Sequence, residues 1–142
     1  MNAFLDTSSL LKLYHNEPGT ETLMTALSQG IEAIYLSELA LLEFRSAILK
    51  KNRMGEIDME TANTVIACFQ QDYAKFQWIA LDNEIIQQAQ ALLMKYGSAG
   101  LRTLDAIQLA CALTLKEQSN TCFLSADKLL NSFFKQEGLE DT

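Results

Sequence analysis

The sequence predicts an α/β fold, a three-layer α/β/α sandwich around a short parallel sheet. Three observations predict it. Four brief apolar stretches, at 2–5, 32–36, 78–81 and 121–124, read as strands, and each is followed by a capping residue: Asp6, Ser37, Asp82 and Ser125. The segments between them carry helical periodicity. Strands that alternate with helices pair in parallel and are covered on both faces.

The elements follow in order. Leu10, Leu11, Leu13 and Tyr14 mark a short first helix. Pro18 stands near the start of a second, with Leu23, Met24 and Leu27 on one side and Gly30 as its stop. Ser37 is expected to open a longer helix to about Arg53, closed by Gly55. Helices are predicted over 59–76 and over 82–96, the latter closed by Gly97. The segment 102–118 is apolar nearly all round and is expected to be buried on several sides. A last helix is predicted over 126–134. No repeat, linker or low-complexity tract interrupts the pattern, so residues 1–142 read as one domain.

Composition agrees. The 142 residues, 49% of them hydrophobic, suffice for one core, and one proline with six glycines leaves little for long irregular segments. Eleven Lys and Arg against 18 Asp and Glu give a net charge of −7. That balance opposes a broad electrostatic grip on nucleic acid, unless the acid is gathered where a cation inverts the local field. Cys68, Cys111 and Cys122 lack metal-ligand spacing and sit among apolar residues, so core packing is expected. Their odd count, and an N-terminus without a basic, signal-like region, point to a reducing cytoplasm. No apolar run approaches a membrane span.

Four acids stand out. Asp6 ends an apolar strand, and Asp127 follows another; either position also suits a helix cap. Asp105 lies near the start of the most apolar helix, in Leu104-Asp105-Ala106-Ile107-Gln108-Leu109-Ala110. Glu43, in Leu39-Ala40-Leu41-Leu42-Glu43-Phe44, is expected a full turn inside its helix, too far in to cap it. Arg45 is wrongly spaced to meet it, so a metal or a distant cation is the expected partner. Four converging carboxylates repel, and a divalent cation resolves the repulsion. Mg²⁺ prefers oxygen ligands, keeps several waters and takes one or two protein carboxylates per ion.

At these residues the chain resembles the PIN domain family, and within it the VapC-type toxins of bacterial toxin–antitoxin pairs. Phe4-Leu5-Asp6-Thr7-Ser8-Ser9-Leu10 is similar to the family's opening strand and D-[ST]-[SN]-x-L turn. Ser37-Glu38-Leu39-Ala40-Leu41-Leu42-Glu43 resembles the helix that carries its second acid. Leu101-Arg102-Thr103-Leu104-Asp105-Ala106-Ile107-Gln108-Leu109-Ala110 is close to its L-R-x-x-D-A-[IL]-x-L-A helix, and Phe123-Leu124-Ser125-Ala126-Asp127 to its F-[LV]-[ST]-x-D strand end. The resemblance implies a PIN-like sandwich and an endoribonuclease using Mg²⁺, or Mn²⁺ in its place. By it, Asp6 and Asp105 are the principal metal ligands, and Glu43 and Asp127 complete the catalytic site. Ser8 and Ser125 match polar positions that hold a carboxylate or a water, and Arg102 stands before the third acid. It further implies an RNA substrate, a cognate antitoxin and a homodimer. Where the family usually adds a short strand, the chain runs Glu137-Gly138-Leu139-Glu140-Asp141-Thr142, so a shorter sheet edge is expected.

Other features are assigned bland roles. His15 reads as surface decoration before Pro18. Lys50, Lys51 and Arg53 suit a helix C-terminus on dipole grounds, and Phe69, Tyr73, Phe76 and Trp78 read as packing. Two rival functions remain. A signalling receiver domain would need adjacent acids after the first strand, where this chain has Asp6-Thr7-Ser8. A PIN fold kept as a catalytically silent binding module would need no acids at all.

Overall fold

The computed structural model describes residues 1–118 and 120–139. Four strands, β1 (Asn2–Leu5), β2 (Ala33–Ser37), β3 (Gln77–Ile79) and β4 (Thr121–Leu124), pair in parallel in the order β3-β2-β1-β4. Between them run α1 (Thr7–Tyr14), α2 (Thr20–Leu27), α3 (Ala40–Arg53), α4 (Met59–Gln71), α5 (Asn83–Tyr96) and α6 (Thr103–Leu113), and α7 (Lys128–Gln136) follows β4.

Strand alternation sorts the side chains into two cores. Phe4, Tyr35, Ile79 and Phe123 point to one face and pack with α5, α6 and α7. Ala3, Leu5, Leu36 and Cys122 point to the other and pack with α1 to α4. Parallel strands covered on both sides need apolar residues at nearly every position, as these four have. The three-layer sandwich is thus the predicted one, and α6 is buried on several sides, from Ala106 through Ala112 apart from half-buried Ile107.

Several boundaries differ from expectation. β2 runs through Ser37, whose hydroxyl accepts from Leu39 N, and α3 begins only at Ala40 without a side-chain cap. Glu43 therefore lies in the first turn of α3, not a full turn inside it. α4 stops at Gln71, where a 3₁₀ turn (Tyr73–Lys75) delivers Phe76 to the core. α6 ends at Leu113 in turns rather than at 118. Gly97 is helical and passes into a second 3₁₀ turn; the residue that reverses the chain there is Gly100, at φ +108°. Ser125 caps nothing, and Asp127 is the N-cap of α7. Cys111 and Cys122 are buried, but Cys68 is exposed, because the inward stripe of α4 is Ala62, Val65 and Phe69. β4 and β3 are the edge strands among the described residues, and positions 140–142 of the expected shortened edge lie outside them.

The topology explains where a site forms. β1 and β2 lead to successive neighbours on one side of β1, whereas the chain leaves β3 and crosses to β4 on the opposite side. The loops after β1 and β4 therefore diverge and leave a crevice at the carboxyl ends of those strands. Asp6 and Asp127 follow those two strands, Asp6 with its side chain buried.

Phe4 is fully buried at the centre of β1, with its ring against Phe123 and Phe134. Phe4→Ala is expected to lower the unfolding free energy by about 3–5 kcal/mol in urea denaturation. Met94→Ala, at an 88% exposed position, is expected to change it by less than about 0.5 kcal/mol.

Candidate active site

Asp6 caps α1 and is only 4% exposed. Its carboxylate accepts from Ser9 N at 3.0 Å, from the Ser8 hydroxyl at 2.8 Å and from the Ser125 hydroxyl at 2.5 Å. The two serines tie the loops together, since Ser8 Oγ accepts from Ala126 N while Ser125 donates to Asp6; within its own loop Ser125 Oγ accepts from Asp127 N. Asp6 N in turn donates to Leu124 O at 3.1 Å, fixing the end of β1 to the end of β4. Ser8 and Ser125 thus both donate to the Asp6 carboxylate.

These donors do not fully offset burial. Desolvation raises the Asp6 carboxyl from its ordinary 3.8 to about 6; the hydrogen bonds oppose this, and the charge of Asp127 adds to it. Asp105, half-buried in the first turn of α6, is also raised, by desolvation first and then by the charges of Asp127 and Glu43, with Arg102 opposing. The acids therefore feel one another in sequence: Asp6 with Asp127, Asp127 with Asp105, Asp105 with Glu43.

Glu43 and Asp105 line one cleft of about 400 Å³ together with Arg102, Thr103 and Leu104. Asp6 and Asp127 do not line it. Arg102 is exposed and makes no ion pair among the described residues. Glu43 does not lack partners, contrary to expectation. Its Oε1 accepts from Thr7 Oγ1 at 2.7 Å and from Gln108 Nε2 at 2.8 Å. Asp127 spends Oδ1 on the backbone N–H groups of Leu129 and Leu130. The Asp105 carboxylate accepts no hydrogen bond from any described residue.

Sequence reasoning overlooked Thr7 and Gln108. The signal was a single amide in the apolar run Ile107-Gln108-Leu109-Ala110, where a buried polar group requires a partner.

The expectation of a ready-made four-carboxylate cage is not met. Among the described residues no three His, Cys, Asp or Glu side chains are grouped so as to hold a metal ion. Like charges repel, and Asp6, Glu43 and Asp127 each take hydrogen bonds from neutral donors instead. The donor set nevertheless fits a hard cation. It is all oxygen, and Asp105 is a half-buried carboxylate with two like charges near it and no donor of its own. Lys51 pairs with Glu17 and Glu56, and Phe69 and Phe76 are core residues, whereas Tyr73 is exposed and stacks on Trp78, and His15, expected at the surface, is half-buried.

The chain matches the PIN domain family over residues 3–132. No curated protein matches the sequence. Its fold is shared with the sarcin–ricin-loop-cleaving toxin VapC20 of Mycobacterium tuberculosis, at TM-score 0.70 and 17% identity, over 99% of this chain and 98% of that one. FitAcB of Neisseria gonorrhoeae aligns with TM-score 0.70 and 16% identity, over 99% and 96% of the two chains. VapBC2 of Rickettsia felis, bound to a promoter DNA fragment, aligns with TM-score 0.66 and 13% identity, over 100% and 98%.

The raised Asp6 carboxyl has a consequence for stability. Between pH 3.8 and about 6 the folded chain holds a proton that the unfolded chain has released, so stability present below this window is lost as pH rises through it. In EDTA, the unfolding free energy of the parent relative to Asp6→Asn is expected to fall by about 3 kcal/mol between pH 3.5 and 7. Parallel pH dependences of the two proteins in urea denaturation would contradict this.

Proposed function

This chain belongs to the PIN domain family, and from that premise we propose that it is a metal-dependent endoribonuclease, the toxin of a toxin–antitoxin pair. The observation that carries the reading is Asp105: a half-buried carboxylate, without a donor among the described residues, pressed by Asp127 and Glu43. Such a group is costly unless a cation answers it.

In this reading Asp6 and Asp105 hold Mg²⁺, or Mn²⁺ in its place. The ion would make a water nucleophilic and offset charge on the leaving oxygen of a phosphodiester. Ser8, Ser9 N and Ser125 keep the Asp6 carboxylate in one orientation. Glu43, with Oε2 free of hydrogen bonds among the described residues, accepts a proton at that oxygen. Asp127 adds negative charge to the pocket while its Oδ1 keeps the end of α7 in place. Arg102, exposed at the cleft, meets the RNA backbone.

Partners follow from the same likeness. Solved relatives of this fold include toxin–antitoxin complexes, one from Klebsiella pneumoniae. We expect a small antitoxin here, with an arginine or lysine taking the cation's place against the acids, and a homodimeric toxin. Among the described residues no helix is long and apolar enough to cross a membrane; the odd cysteine count fits a reducing cytoplasm.

One observation favours a second reading, a PIN fold retained for binding: among the described residues no three acids are grouped for a metal. Activity separates the two. The purified chain is expected to cleave RNA in Mg²⁺ or Mn²⁺ and to stop in excess EDTA; equal cleavage in EDTA rules out the metal mechanism. Asp105→Asn is expected to lose nearly all cleavage, to melt no lower than the parent without metal, and to gain less from added Mg²⁺. A parent that never cleaves while its melting temperature ignores Mg²⁺ favours the binding module.

A further inference from the structure

Glu43 is gripped by one oxygen only. Oε1 accepts from Thr7 Oγ1 and from Gln108 Nε2, and that same Nε2 lies 3.1 Å from Thr7 Oγ1. Oε2 accepts nothing from the described residues. Gln108 is 2% exposed, in the most apolar helix of the chain. If filling space were its task, leucine or methionine would do it at less cost, because the Gln108 Oε1 is buried with no donor among the described residues. The amide cannot turn over to satisfy that oxygen: a carboxylate only accepts, so Nε2 has to face Glu43. An orphaned oxygen is thus tolerated in order to keep a donor on Glu43.

The placement of the pair is informative. Thr7 follows Asp6, and Gln108 follows Asp105 by three residues, on the same side of α6. The two side chains that aim Glu43 therefore stand on the elements that carry the two proposed metal ligands.

We propose that Gln108, with Thr7 as its partner, is a positioning residue that ties down Glu43 Oε1 and so presents Oε2 to the cleft beside Asp105. The inference rests on the nuclease reading of this site and adds which oxygen works and what aims it. A buried amide that orients a carboxylate acts as outer-shell partners of metal ligands do, and their loss typically weakens metal affinity or activity about ten- to hundredfold.

The test uses the full chain with Gln108→Met, Thr7→Val, Thr7→Ser and Glu43→Gln. Two quantities are measured: kcat and KM on RNA in Mg²⁺, and melting temperature against MnCl₂ concentration. Gln108→Met is expected to lower kcat about ten- to hundredfold with KM within about twofold. It is also expected to raise the Mn²⁺ concentration for the half-maximal melting increase by about tenfold. Its metal-free melting temperature stays close to the parent's, since the orphaned oxygen leaves with the donor. Thr7→Ser, which keeps the hydroxyl, recovers kcat relative to Thr7→Val; this pair carries the test if Gln108→Met fails to fold. In the Glu43→Gln background Gln108→Met adds nothing to the Mn²⁺ midpoint. Parent-like kcat and Mn²⁺ midpoint in Gln108→Met, or additive effects in the double variant, overturn the proposal alone. A parent that neither cleaves RNA nor responds to Mn²⁺ overturns the nuclease reading and this proposal with it.

Discussion

A carboxylate buried at the end of the sheet's inner strand is the constraint on which the rest of this rim depends. β1 lies between β2 and β4, and its last side chain gives way to Asp6 with almost no access to water. An ionised group there is untenable without donors. Two come from the next turn, Ser8 and Ser9 N, but the third, Ser125, comes from across the sheet. Ser125 reaches Asp6 only because Leu5 pairs with Leu124, so the β1–β4 register is fixed by polar as well as apolar contacts. The chain continues from Ser125 into Asp127, which caps α7. One buried acid therefore links the inner strand, the edge strand and the last helix.

Neutral donors satisfy a carboxylate's lone pairs without cancelling its charge. That is why Asp6 remains raised to about 6 despite its hydrogen bonds, and why Asp105, with no such bonds, is raised as well. The chain carries a net charge of −7 and still sets four acids near enough that Asp127 raises both Asp6 and Asp105, and Glu43 raises Asp105. Natural folds keep such frustration where function needs it. A cation would relieve it, whether a metal or a basic side chain of a bound protein, and on the proposed reading a polyanion would approach this pocket through that cation. The negative charge that argues against a broad RNA-binding face is thus compatible with a narrow, metal-gated one.

Much of this was legible in the sequence. Apolar strands followed by Asp6 and Asp127 made the parallel sheet and the place of these two acids legible, because strand period and cap chemistry are local properties. The helix around Asp105 was legible for the same reason. What was not legible depended on contacts between distant segments. Ser37 reads as a cap, yet pairing of β2 with β3 draws it into the sheet and delays α3, which moves Glu43 into a first turn. The neutral donors that hold Glu43, Thr7 and Gln108, were not legible because they lie 36 and 65 residues away in sequence. Cys68 was misplaced by reading local apolarity without the helical stripe that decides which side of α4 turns inward.

The absence of a ready-made cage follows from how the four acids divide their oxygens. Both oxygens of Asp6 accept hydrogen bonds. Glu43 and Asp127 each commit one oxygen and leave the other without a partner among the described residues. Asp105 commits neither. The acids therefore differ in constraint: Asp6 is fixed, Glu43 and Asp127 are half-fixed, and Asp105 is restrained only by its helix. Four fully held carboxylates would fix their mutual repulsion permanently into the folded state. Four loose ones would leave a cation no defined position. On the proposed metal reading, a graded set would let the fixed acid set the location while the freer ones close on a ligand that keeps most of its waters, as Mg²⁺ does. Its repulsion in the empty state is what a bound cation would remove.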